Sequence, residues 1–318
     1  MTATSEMPRI VVVGSVMVDL IAYADPLPQA GQTVTGTAFE IGCGGKGANQ
    51  ALSAHRLGAH VTFVARVGTD TFGDISLANL SAQGIDASRV KRVGGAVTGV
   101  APIWVTDDGN NRIIIVPGAN QAMSAEVVRT ELATLSRADI LICQLEISDE
   151  AVAEALAIGA AAGATTVLNP APARAQSVAM FNAADWVVPN EHEFEMLWGA
   201  SPTDQEILAA ATEWNCGLVV TLGAAGAAAT NGVDIIRLRP PRVSVVDTTG
   251  AGDAFVGGFA VGLATGGSLP SAVELGNVCG ALSTEARGTQ SSFPTREMIE
   301  FRRSPSIDRP GPTAAAQR

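Results

Sequence analysis

Short β-branched runs that stop at a glycine, each answered by a helical pattern, constrain the fold of this 318-residue chain more than any other feature. Arg9 to Val13 reads as a buried strand ended by Gly14, and Val61 to Val67 as another ended by Gly68. Between them Asn49 to Leu57 reads as a helix stopped by Gly58, and Phe72 to Gln83 as a helix stopped by Gly84. From Ser124 the rhythm is regular: a helix to about Ser136, strand Ile140 to Gln144, helix Asp149 to Ala162, strand Thr165 to Asn169. It continues with strand Trp186 to Pro189, helices 191–198 and Thr203 to Trp214, and strand Leu218 to Leu222, before long helices from about Asp253 and Ser271. Repeated alternation of this kind predicts crossover units, hence an α/β fold with a central, mostly parallel sheet flanked by helices.

Two stretches, roughly 15–40 and 95–116, break the rhythm. Val97 to Val105 and Arg112 to Val116 flank the turn-rich DDGNN, a hairpin signal that predicts a small antiparallel β-sheet beside the main one. Residues 1–8 and the Pro- and Gly-bearing tail 304–318 have no apolar period and are expected to be disordered, which leaves 9–303 as the folded unit.

Composition removes several classes of function. A net charge of −11 argues against nucleic acid, whose phosphates demand basic density, and 4% aromatic residues offer few stacking platforms. The start MTATSEMPRI has no secretory pattern, and no uncharged apolar run reaches membrane-spanning length. Cys43, Cys143, Cys216 and Cys279 are widely spaced, which fits reduced thiols in a cytoplasmic protein better than a zinc site or disulfides. Only two lysines occur, Lys46 and Lys91, in an otherwise arginine-based chain.

GCGGKG, residues 42–47, formally matches G-x-G-x-x-G, but the first carboxylate beyond it, Asp70, is too late for a dinucleotide fingerprint. Nor is it a Walker A loop, since Gly47 rather than Ser or Thr follows Lys46. What remains is a glycine-dense loop offering backbone N–H groups, Lys46 and Asn49 to a small polyhydroxylated or anionic ligand. A tight turn would explain the glycines but not the lysine. The second site, SVVDTTGAGDAFVGGF from Ser244 to Phe259, runs from strand through glycine turn to helix. Gly250, Ala251 and Gly252 would leave unpaired N–H groups at the helix start, an anion nest reinforced by the helix dipole. Asp253 beside such a nest suits a base that deprotonates a hydroxyl next to an incoming phosphate; the competing reading is a plain helix cap.

GSVMVD (14–19), GGKGANQA (44–51), GAN (118–120), QLE (144–146), NPAPA (169–173), PNEHE (189–193), TLGAAG (221–226) and DTTGAGD (247–253) stand in the order and spacing of the ribokinase-like (PfkB) sugar kinases. The resemblance covers about residues 9–300 and is closest to the ribokinase branch. It implies a parallel sheet capped by a small β lid, drawn here from about 15–40 and 95–116, and a homodimer through that lid. The activity implied is ATP-dependent phosphorylation of D-ribose at O5, giving D-ribose 5-phosphate and ADP, with Mg²⁺ and activation by K⁺. Residue by residue, it makes Asp253 the general base and Gly250, Ala251 and Gly252 the anion nest. It puts Met17, Val18, Asp19, Gly45, Lys46, Gly47, Ala48, Asn49, Glu146 and Asp253 around the sugar. Around the nucleotide it puts Asn190, Glu193, Thr221, Leu222, Gly223, Ala224, Ala225, Gly226, Gly252, Asp253 and Asn277, with Asn190 and Glu193 as an N-x-x-E pattern tied to magnesium and phosphate. A potassium site would draw on Asp247, Thr249, Ser283, Ala286, Gly288 and Ser292, largely through carbonyl oxygens.

The chain departs from the family pattern in two places. Met17 stands where many ribokinases have asparagine and cannot donate to a ribose hydroxyl, and Asn277 stands where histidine is frequent. Met17 keeps a deoxyribokinase, fructokinase or nucleoside kinase open as alternatives. A non-catalytic sugar sensor and a dinucleotide-dependent oxidoreductase are the rivals from other classes. His192, between Glu191 and Glu193, reads as a surface residue.

Overall fold

The computed structural model describes residues 7–106, 108, 110–133 and 140–303. Of the expected disorder at 1–8 and 304–318, residues 1–6 and 304–318 lie outside the described residues, as do Asp107 and Gly109 of the hairpin turn and the end of the helix expected to reach Ser136, whereas Pro8 is buried and its carbonyl accepts from His60 N at 2.8 Å. Strand β1 (Arg9–Val13) is followed by β2 (Met17–Tyr23) and β3 (Ala38–Gly44), then by α1 (Lys46–Arg56), β4 (His60–Gly68), α2 (Thr71–Ala82) and β5 (Val90–Val93). Next come β6 (Gly99–Val105), β7 (Asn111–Ile113), α3 (Ala125–Leu132), β8 (Ile140–Gln144), α4 (Asp149–Ala161) and β9 (Thr165–Asn169). The chain ends with β10 (Trp186–Val187), α5 (Glu191–Trp198), α6 (Asp204–Trp214), β11 (Gly217–Thr221), β12 (Ala227–Thr230), β13 (Ile235–Leu238), α7 (Ala251–Ala264), α8 (Leu269–Ser283) and α9 (Arg296–Arg303).

Nine strands form the main sheet in the order β13-β12-β11-β10-β9-β8-β1-β4-β5, parallel throughout except where β12 and β13 fold back as an antiparallel hairpin. Its strands alternate between two apolar layers because successive side chains point to opposite faces. Ile10, Val12, Ile140 and Ile142 pack with Leu52 of α1, Phe255 and Phe259 of α7 and Val273 of α8. Val11, Val13, Leu141 and Cys143 pack with Val128 of α3, Val152 of α4, Phe194 of α5 and Ile207 of α6. Full burial of each large side chain stabilises by about 1.5–3 kcal/mol, so covering both faces fixes the register firmly.

The helices on the first face meet closely through small residues. A Cβ on Gly257 would lie 2.4 Å from Ser53 Oγ, and the Ser53 hydroxyl donates to the Ala254 carbonyl at 3.1 Å. These contacts lock α1 against α7. From β1 the sheet extends to β4 on one side and to β8 on the other. That reversal opens a crevice at the C-terminal ends of β1 and β8, where sheets of this kind bind ligands.

The smaller sheet has the order β3-β2-β6-β7 and is mixed rather than purely antiparallel. β2 runs antiparallel to β3 but parallel to β6, from Met17 opposite Gly99 to Tyr23 opposite Val105. The cause is connectivity: the chain passes through α1, β4, α2 and β5 before β6 and so re-enters the small sheet in the same direction as β2. β12, whose sequence is AAAT, escapes the sequence pattern because alanine carries little strand preference; pairing with β11 and β13 and complete burial make it a strand.

Candidate active site

The end of β1 meets the start of α1 at a backbone crossing too tight for side chains. A Cβ on Gly47 would sit 2.4 Å from the Ser15 nitrogen, and one on Gly14 would sit 2.1 Å from Gln144 Oε1. Helix α1 starts at Lys46, earlier than the pattern beginning at Asn49 suggests, because the glycines that mask its first turn are required by this crossing. The N–H groups of that turn are already taken. Lys46 N donates to Glu146 Oε2 at 2.9 Å, Gly47 N to Ser15 Oγ at 3.2 Å and Ala48 N to the Ser15 carbonyl at 2.9 Å. Ser15 Oγ in turn donates to Glu146 Oε2 at 2.5 Å. The 42–47 loop therefore does not present bare N–H groups from Lys46 onward, as the sequence suggested; it presents the side chains of Lys46 and Asn49. Glu146 spends Oε2 on holding this crossing, and Oε1 has no partner among the described residues.

The start of α7 is different. Gly250 caps it with φ 78°, and a Cβ there would lie 2.4 Å from Thr289 Cγ2. Ala251 N donates to the Thr248 carbonyl at 3.2 Å, so it is not a free donor. The N–H groups of Gly250, Gly252 and Asp253 have no acceptor among the described residues, and a Cβ on Gly252 would meet nothing within 4 Å. Here unpaired donors face open space at the positive end of a helix dipole.

Asp253 is the third residue of α7 and only 6% exposed. Its carboxylate turns away from its own helix: Asn49 Nδ2 donates to Oδ2 at 2.9 Å and Gln50 Nε2 to Oδ1 at 2.9 Å. The helix-cap explanation of this aspartate therefore fails. Behind it lies a chain of amides. Gln50 Nε2 also donates to Asn169 Oδ1, Gln144 Nε2 donates to Gln50 Oε1, and Gln290 Nε2 donates to Asn49 Oδ1.

Across the crevice β2 carries Met17 and Asp19 on one face, both backed by glycine: Met17 stands opposite Gly44 and Gly99, and a Cβ on Gly44 would meet Asp19 Oδ2 at 2.6 Å. Met17 and Val18 are buried, 2% and 0% exposed. Asn120 fixes the approach to β2, accepting from Val16 N at 3.0 Å and donating to the Val16 carbonyl at 2.9 Å.

Four carboxylates and one ammonium share the space. Burial, then the charges of Glu146 and Asp253, push Asp19 up to about 6. Burial works against the charge of Lys46, yet Asp253, Glu146 and Glu193 together hold its ammonium above the usual lysine range. Burial also raises Glu146, outweighing Lys46 and the Ser15 hydroxyl, and raises Glu193 against its cap bond and Lys46. Lys46 is thus the shared counter-charge of the site.

The remaining positions fall into two groups. Asn190 and Glu193 form a reciprocal capping box at the start of α5, with Glu193 N to Asn190 Oδ1 and Asn190 N to Glu193 Oε2 both 2.8 Å. Thr221 N donates to the Pro189 carbonyl at 3.0 Å, which brings the turn Thr221, Leu222, Gly223, Ala224, Ala225 and Gly226 beside Asn190. Asn277, 4% exposed, spends its amide N–H on the Leu238 carbonyl at 2.9 Å. At the other end Asp247 Oδ1 accepts from Thr249 N and Oγ1 at 2.9 and 2.7 Å, while Oδ2 accepts from Gly288 N at 3.0 Å. Val246 N and Asp247 N both donate to the Thr284 carbonyl, so the 247–249 and 283–292 segments converge. The hydroxyls of Ser283 and Ser292 point back to the carbonyls of Gly280 and Thr289. This donor set is oxygen only with one carboxylate, which fits a hard cation and not a soft one. Asp70 caps α2 and accepts from Thr98, which removes it from any dinucleotide role.

The sequence matches the description "pfkB family carbohydrate kinase" over residues 7–296. The chain belongs to the pfkB family of carbohydrate kinases. It is 40% identical over 297 residues to a deoxyribokinase of Salmonella typhimurium, covering 91% of this chain and 97% of that one. It is also 40% identical over 302 residues to a mouse ribokinase, with 92% and 94% covered. Among solved structures, Arabidopsis thaliana ribokinase complexed with ribose and ATP superposes with a TM-score of 0.82 at 30% identity, covering 93% and 98% of the two chains. The protein is an ATP-dependent sugar phosphotransferase.

Within this kinase the motifs meet in one crevice: Asp19, Lys46, Asn49, Glu146 and Asp253 are linked by hydrogen bonds or mutual charge. Sequence reasoning missed Ser15, Gln50, Gln144, Asn169 and Gln290, which frame those groups. Four of the five lie inside quoted motifs, so a signal existed, but neutral amides there look like ordinary strand or helix residues.

Proposed function

We propose that this kinase transfers the γ-phosphoryl group of ATP to the 5-hydroxyl of D-ribose, with Asp253 as general base. The observation that carries the reading is the buried Asp253 carboxylate beside the unpaired N–H groups of Gly250 and Gly252, with Lys46 in the field of Asp253. The hydroxyl loses its proton to the carboxylate as its oxygen attacks the γ-phosphorus, and the N–H groups steady the charge on the migrating group. Lys46 balances charge between sugar and phosphates. Asp19, Asn49 and Glu146 Oε1 hold sugar hydroxyls, and Thr221 to Gly226 with Asn190 and Asn277 border the nucleotide. The small sheet acts as a lid that excludes water.

Glu193, with the phosphates of ATP, would border a Mg²⁺ ion that would neutralise phosphate charge, and the oxygen donors of the 247–292 convergence would hold K⁺, which would add fixed positive charge. Exposed Phe39, Ile41, Ile113 and Ile114 on the lid strands and just beyond support a homodimer through that sheet. Four free cysteines suit a reducing cytoplasm.

A second reading, 2-deoxy-D-ribose, is favoured by Met17. Its thioether shares a face with Asp19, cannot donate to a sugar hydroxyl and is only a weak acceptor, so a sugar with one hydroxyl fewer loses less here. Equal identity to a ribokinase and a deoxyribokinase leaves the choice to measurement. ADP release with ribose, deoxyribose, fructose and nucleosides decides: faster turnover on any sugar other than ribose overturns the first reading. Asp253→Asn should lower kcat by about 10²–10⁴ with sugar affinity within about tenfold. Normal turnover in that variant removes Asp253 from the role of base.

A further inference from the structure

The two oxygens of Asp253 are held by different kinds of partner. Oδ2 accepts from Asn49, whose Nδ2 makes no other hydrogen bond among the described residues. Oδ1 accepts from Gln50, which is 0% exposed and has no donor left: Nε2 donates to Asp253 at 2.9 Å and to Asn169 at 3.0 Å, while Oε1 accepts from Gln144 at 2.7 Å. Those three partners stand on α7, β9 and β8, so the Gln50 amide is the point where three elements are tied together. The Asp253 carboxylate, which only accepts, decides which end of that amide is nitrogen, and the bond from Gln144 agrees with it. A flipped amide would set an oxygen against the carboxylate. With both N–H groups committed, Gln50 has nothing to offer a substrate, and its one functional contact is with Asp253.

We propose that Gln50 is a positioning residue for phosphoryl transfer: it fixes the Asp253 carboxylate through Oδ1, so that Oδ2 is the oxygen that takes the proton of the accepting hydroxyl. The inference rests on Asp253 being the base. In the step, the O–H bond of the sugar breaks and its proton passes to Oδ2. The freed electron pair forms the new bond to the γ-phosphorus as the bond from phosphorus to the bridging oxygen breaks, releasing ADP. Held by Asn49 alone, the carboxylate would be fixed at one oxygen and could swing about its last torsion, and misalignment of a reacting group by about 1 Å costs on the order of 10²-fold in rate.

The test is a double-mutant cycle on the full-length kinase, read by ADP release with whichever pentose is turned over fastest. Gln50→Met should lower kcat by about 30–100-fold with sugar KM within about threefold. In an Asp253→Asn background the same change should alter kcat by less than about threefold, because the carboxylate it acts on is gone. Equal losses in both backgrounds would show a merely structural role and overturn the proposal, as would normal kcat in Gln50→Met. If Gln50→Met does not fold, Gln144→Met removes only the support that Gln50 Oε1 receives from β8 and should lower kcat about tenfold; an unchanged kcat there overturns the proposal. Full activity in Asp253→Asn alone would instead sink the assignment of the base.

Discussion

Two glycines a single residue apart should respond to the same substitution in opposite ways. Gly250 has φ 78°, and a Cβ there would come within 2.4 Å of Thr289 Cγ2 and 3.1 Å of Phe293 Cε1. Alanine in a left-handed conformation costs about 1–2 kcal/mol, and overpacking against Thr289 and Phe293 adds about 1–3 kcal/mol. Gly250→Ala should thus lose about 2–5 kcal/mol of stability, a fall in Tm on the order of 3–10 °C. Gly252 is inside α7, and a Cβ there meets nothing within 4 Å. Alanine at such a helical position gains up to about 1 kcal/mol, so Tm should hold or rise by about 1–3 °C. Yet the added methyl enters the space that the proposed function gives to the transferred phosphoryl group, beside the N–H groups of Gly250, Gly252 and Asp253. Losing that fit should cost on the order of 10²-fold in kcat, about 2.7 kcal/mol of barrier. Thermal unfolding and a coupled ADP-release assay on both variants separate the effects. Wild-type kcat in Gly252→Ala refutes the placement of the phosphoryl group; a fall in its Tm matching the loss of activity refutes the claim that the space is empty.

Asp19 gives a pH signature. With its pKa pushed up to about 6 from 3.8, Asp19 is protonated in the folded state below that point; if it holds a sugar hydroxyl as proposed, it then loses the charge that strengthens that bond, and sugar KM should climb by up to about tenfold per unit below about pH 6. The stability contribution of this raised acid is complete below about pH 4 and lost as pH rises through about 6. Asp19→Asn should therefore raise Tm at pH 8 and leave it unchanged at pH 4, and a uniform shift at both would contradict the assignment. Exchange of K⁺ for Na⁺ should slow turnover in the wild type but not in Asp247→Ala; equal sensitivity in both removes the 247–292 convergence as the cation site. Away from the crevice, Glu131→Gln breaks a largely buried pair with Arg66 at 2.8 Å that ties α3 to β4, with Arg89 also donating to the Glu131 carbonyl. Urea unfolding should show a loss of about 3 kcal/mol with kcat unchanged, and a loss below about 1 kcal/mol would mean that the pair is solvated.

Which features could be read from the chain alone follows from what each costs. β1, β8 and β9 announce themselves because a strand covered on both faces is built mostly of apolar or β-branched residues, and a glycine or polar residue ends each. β12 does not, because alanine fits a helix at least as well and only its neighbours make it a strand. The same asymmetry divides the site. Lys46, Asp19, Glu146 and Asp253 stand out because a charge in a half-buried crevice is expensive and so has a reason to be there. Gln50, Gln144, Asn169 and Gln290 do not stand out: a neutral amide is cheap in either setting, and Gln50 lies 203 positions from Asp253 and Gln290 lies 241 from Asn49.

With Asp253 as the proposed base, neutrality is also a chemical reason for amides there. A carboxylate that is to accept a proton has to be held without being neutralised. An arginine or second lysine against Asp253 would hold it firmly, but as an ion pair that favours the charged form and weakens the base. Asn49 and Gln50 orient the same two oxygens while adding no charge and titrating at no pH the protein meets. Lys46 can then remain the cation shared among Asp253, Glu146 and Glu193, available to phosphate when it arrives. On this argument the lysine and the amides are one arrangement: the scarcity of positive charge that the sequence displays is workable because the base is aligned by groups that carry none.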